Sequence, residues 1–104
     1  MAHMTHALKV CGDDHVGIGS DSSMAAWDTS PAAMAAFNKD EDERHKAGVA
    51  APEEDRPLYV IGLNTPMRSE IIADALLKRG YSESVAEKVL GLNFTNALKQ
   101  SWQD

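Results

Sequence analysis

The run Asp14-His15-Val16-Gly17-Ile18-Gly19-Ser20-Asp21 holds the residues best suited to chemistry. Val16 and Ile18 alternate with glycines, which reads as a short buried strand over about 14–20. Glycine weakens a strand but is tolerated where backbone or ligand approaches closely. Such a strand delivers Ser20 and Asp21 to a surface or cleft. A carboxylate at the C-terminal end of a buried strand sits where barrels and α/β sheets keep their sites. Asp21 is therefore the foremost catalytic candidate. The competing reading is structural, because Asp21-Ser22-Ser23 would also cap a following helix.

His15, preceded by Asp13 and Asp14, offers metal-binding side chains. A zinc site needs three or four converging ligands, and these neighbours on one strand entry cannot all aim at one ion. His15 reads as a surface or half-buried side chain, and no metal ligand is assigned. Cys11 beside Gly12 reads as a small buried apolar residue; a nucleophile would need a base held nearby. As the only cysteine it forms no intrachain disulfide, which fits a reducing compartment. Asp40 could open a calcium loop, but His45 stands where that loop needs glycine. There is no glycine-rich phosphate loop, no nucleophile elbow and no paired-cysteine or HExxH motif.

The elements that must position these residues are short. Ser30 and Pro31 suit an N-cap and first helical position, within a helical, charged insert over about 24–48. Within it, Glu41 precedes His45 and Asp42 precedes Lys46 by four residues, the favourable order for helical ion pairs. A linker with Pro52 and Pro57 covers about 49–57, and Leu58-Tyr59-Val60-Ile61 suits a short strand or an anchoring segment. A helix is expected over about 66–79, with Thr65 as cap and Pro66 at its first position. Met67, Ile71, Ala75 and Leu76 form its apolar stripe, and Gly80 ends it. Ser82 caps a second helix over about 83–102, interrupted near Gly91 and Asn93. The short link at Gly80-Tyr81 favours an antiparallel pair.

Bulk properties narrow the function classes. With 104 residues, 43% of them hydrophobic and 25% charged, the chain suits one small globular domain over residues 4–104. Residues 1–3 read as the remnant of a cloning junction. The net charge of −6 argues against nucleic acid and against an anionic membrane surface. No apolar run approaches the ~20 residues of a membrane span, and no secretion signal is read, so a cytoplasmic location is expected.

Several strings, taken in order, resemble the membrane-dipeptidase (renal-type dipeptidase) family. Asp14 to Asp21 looks like its final barrel strand. Gly62-Leu63-Asn64-Thr65-Pro66, Ile71 to Leu77 and Arg79-Gly80-Tyr81-Ser82 look like its closing segment. So does Lys88-Val89-Leu90-Gly91-Leu92-Asn93-Phe94, followed by Trp102. The resemblance covers nearly everything from Leu8 to Trp102. It implies a parent (β/α)8 barrel that holds two zinc ions and hydrolyses dipeptides, of which this chain would be the final strand and C-terminal helices. In that family the aspartate matching Asp21 contacts substrate or relays a proton. The family often continues there with Phe-Asp-Gly, where this chain has Ser22-Ser23-Met24. Its zinc ligands, a His-x-Asp, a bridging glutamate and two later histidines, have no counterpart here.

The expectations are thus a mostly α chain with a short strand and a C-terminal helix pair, and a C-terminal part of a zinc dipeptidase that is inactive alone. Its partners would be the missing barrel portion, a dipeptide once the barrel is complete, or further copies of itself. The alternative is a small, self-associating helical interaction module without catalysis.

Overall fold

The computed structural model describes residues 1–52, 54 and 56–102. The chain is mostly helical, at 56%, with no strand among the described residues. In order come α1 (Ala2–Cys11), α2 (Pro31–Ala47), α3 (Arg68–Leu77), α4 (Glu83–Glu87) and α5 (Asn93–Ser101), with a wide turn, Lys88–Leu92, between the last two. The chain divides into two compact units, residues 1–21 with 67–102, and Ser22–Pro66.

In the first unit, α1 forms where no helix was expected, over Ala, Met, Leu and Lys, all strong helix formers. It ends at Gly12, whose φ of 80° takes the chain out of the helix, and Gly12 N–H donates to the Leu8 carbonyl. Helix α3 starts at Arg68 with no side-chain cap, two residues later than Thr65 and Pro66 suggest. Its end follows the sequence signals: Gly80 adopts a φ of 86°, and Gly80 and Tyr81 N–H donate back to the carbonyls of Leu77 and Leu76. Ser82 then caps α4, its hydroxyl accepting from Val85 N–H at 3.3 Å. This short turn brings α4 against α3.

Burial is concentrated here. Leu8, Val16, Ile72, Leu76, Val85, Ala86 and Val89 are buried, and Leu76 and Val89 are fully so. Ile72 and Leu76 lie one turn apart on α3, and Val85 and Val89 one turn apart beyond the link, so two narrow stripes close on each other. At Gly91 the backbone leaves helical geometry (φ 174°, ψ −26°), and Asn93 N–H reaches back to the Lys88 carbonyl. That break, expected from Gly91 and Asn93, re-aims α5.

In the second unit, α2 opens as expected, with Ser30 Oγ accepting from Ala33 N–H and Pro31 in the first turn. It closes at Gly48 in the left-handed conformation (φ 68°). The charged stretch is helical, but its ion pairs differ from the expected Glu41–His45 and Asp42–Lys46. Lys39 meets Glu43 at 3.7 Å, and Arg44 leaves the helix to grip Glu54 with Nε and Nη2 at 2.9–3.0 Å. Pairing between exposed side chains on one helix gains only a few tenths of a kcal/mol, whereas Arg44 meets its partner outside the helix in a bidentate arrangement. Those hydrogen bonds hold the Glu54 carboxyl below its usual range. Of the expected linker 49–57, Glu53 and Asp55 lie outside the described residues, as do Gln103 and Asp104 of the expected domain. Leu58–Ile61 forms no strand. Instead Tyr59 and Phe37 pack their rings against Trp27, each with centroids 5.7 Å apart.

Replacing Leu76 by Ala should cost about 2–5 kcal/mol. A core this small has little stability to spare, so urea denaturation followed by helical circular dichroism should show a sharp loss of folded population. Leu77→Ala, at an exposed neighbour, should change the midpoint little.

Candidate functional site

The expected strand over 14–20 does not form; its residues are turn and irregular backbone. A strand needs a ladder partner for its amides and carbonyls, and no described segment supplies one. A side chain takes that place. The Asn93 amide, at the start of α5, donates to the Asp13 carbonyl at 2.7 Å and to the Val16 carbonyl at 2.8 Å. Both hydrogens of one NH₂ group are thus used on a segment about 80 residues away in sequence.

Two contacts flank this tie. Lys88 Nζ meets Asp14 Oδ1 at 2.7 Å. The hydrogen bond from Lys88, and secondarily its charge, hold the Asp14 carboxyl below its usual range. The same bond raises the Lys88 ammonium, partly offset by desolvation. Gly17 lies under the Phe94 ring, so close that a Cβ there would stand 2.9 Å from Cζ and 3.0 Å from Cδ2. Val16, between the two, is buried at 8% exposure. Gly17 therefore serves close approach by a ring.

These residues line an open cleft of about 270 Å³, bounded by Asp14, His15, Val16, Gly17, Asn93, Phe94 and Ala97. His15 is exposed, and its Nδ1 lies 3.0 Å from the Cys11 carbonyl. Only a protonated Nδ1 can donate to a carbonyl, so in the neutral ring Nε2 carries the lone pair. That nitrogen is then an acceptor for a ligand's hydrogen bond.

Asp21 does not line this cleft. It is exposed and adopts a φ of 47°, the positive-φ non-glycine residue among those described. Aspartate tolerates that conformation better than most residues. It does not cap a helix, since α2 begins ten residues later with Ser30 as cap. Cys11, expected to be buried, is exposed at the end of α1. Among the described residues no three His, Cys, Asp or Glu side chains gather as a metal-binding group. No helix among them is long and apolar enough to cross a membrane.

No protein-family model matches the chain, and no curated protein or solved structure matches it.

Of the residues that organise the site, Asn93 was legible as a helix interruption, and Lys88 and Phe94 carried no site signal of their own. The one available signal was an amide directly after a glycine break in an otherwise apolar run.

Asn93→Ala removes both donors and should cost about 1–3 kcal/mol, read as a lower denaturation midpoint. Gly17→Ala should cost about 1–3 kcal/mol through overpacking. In a Phe94→Ala background that cost should largely vanish, which a double-mutant cycle measures. The Asp14–Lys88 pair also sets a pH dependence. Asp14 is depressed, so its contribution is present above the ordinary carboxylate range and is lost as pH falls through the folded value. Lys88 is raised, so its contribution is present below the ordinary lysine range and is lost as pH rises through the folded value. Lys88→Met should flatten both limbs of the stability-against-pH curve.

Proposed function

We propose that this chain carries the closing segment of a membrane-dipeptidase-type hydrolase and contributes to dipeptide cleavage only within a completed barrel. The observation that supports the reading is the junction between the first and last of the resembling strings. The run from Asp14 and the run from Lys88 lie more than 70 residues apart in sequence. They meet through Asn93 on the Asp13 and Val16 carbonyls, Lys88 on Asp14 and Phe94 over Gly17. The resemblance thus falls on residues that also pack together, which a chance likeness of short strings would not require.

On this reading the zinc ions, held by residues outside this chain, would supply an acidified water for attack on the peptide carbonyl. The exposed Asp21 carboxylate would contact substrate or relay a proton, a role worth about 10²–10⁴-fold in rate. Its positive φ at the end of the Val16–Ser20 run would fix where the carboxylate leaves the backbone.

A specific observation also favours the helical interaction module. Phe94, Leu98 and Trp102 succeed one another at four-residue steps on and beyond α5, and they are 52%, 48% and 76% exposed. Exposed apolar side chains gathered on one helix face mark interaction surfaces.

The test is zinc-dependent dipeptide hydrolysis by the purified chain, alone and co-expressed with a barrel portion bearing a His-x-Asp and the later histidines. The expected result is no turnover alone and turnover in the reconstituted complex, with Asp21→Asn lowering kcat by about 10²–10⁴-fold. Stable association without turnover would favour the interaction module. Turnover indifferent to Asp21→Asn would overturn the role given to that residue.

A further inference from the structure

We draw no further inference here: the strongest candidate, the exposed apolar face that Phe94, Leu98 and Trp102 form along α5, carries none because nothing in the structure shows what covers it.

Discussion

The join between residues 13–17 and the C-terminal helices depends on a single side-chain amide. Residues 13–17 run as turn and irregular backbone with no described strand beside them, and around the buried Val16 a side chain supplies the donors a ladder would. Asn93 supplies two, at 2.7 and 2.8 Å. Once those bonds hold the turn, Val16 can bury, Asp14 comes within reach of Lys88, and Gly17 slides under Phe94. The break at Gly91 is the precondition. A helix continued through it would aim the Asn93 side chain elsewhere, and the tie from α5 to the loop would be lost.

The second unit uses the same device. Asn64 faces Trp27 and replaces a sheet partner in both directions: its Oδ1 accepts from Trp27 N–H at 2.6 Å, and its Nδ2 donates to the Trp27 carbonyl at 3.0 Å. Trp27 so anchored receives the rings of Phe37 and Tyr59, and Arg44 of α2 grips Glu54 beyond the end of that helix. None of the described residues of this unit is fully buried. Aromatic packing and side-chain hydrogen bonds therefore carry a larger share of its cohesion than an apolar core does.

Helices were legible where local signals are strong. Ser30-Pro31, Ser82 and Gly80 mark caps whose physics is contained within a few residues, and the structure uses each one. The interruption at Gly91 was legible for the same reason. The strand was misread because alternation of Val16 and Ile18 with glycine describes the segment alone, while a strand exists only with a partner. The expected pairs of α2 did not form because helical spacing favours an exposed pair by only a few tenths of a kcal/mol, and the pairing of Arg44 with Glu54, beyond the helix, lies outside any such pattern. The tie from Asn93 joins residues about 80 positions apart, and no local pattern encodes such a pairing. For the site, Asp21 was singled out by its place after an apolar run, yet the cleft is built by residues 14–17 with Asn93, Phe94 and Ala97, which the sequence placed only in an interrupted helix.

The most direct measurement is nuclear magnetic resonance of the Asn93 side-chain NH₂. If this amide organises the first unit, its two protons show cross-relaxation to residues 13–17 and exchange with water far more slowly than a solvated asparagine. Rapid exchange with no contact to residues 13–17 would contradict the central role assigned to Asn93 and, with it, the junction that supports the functional reading.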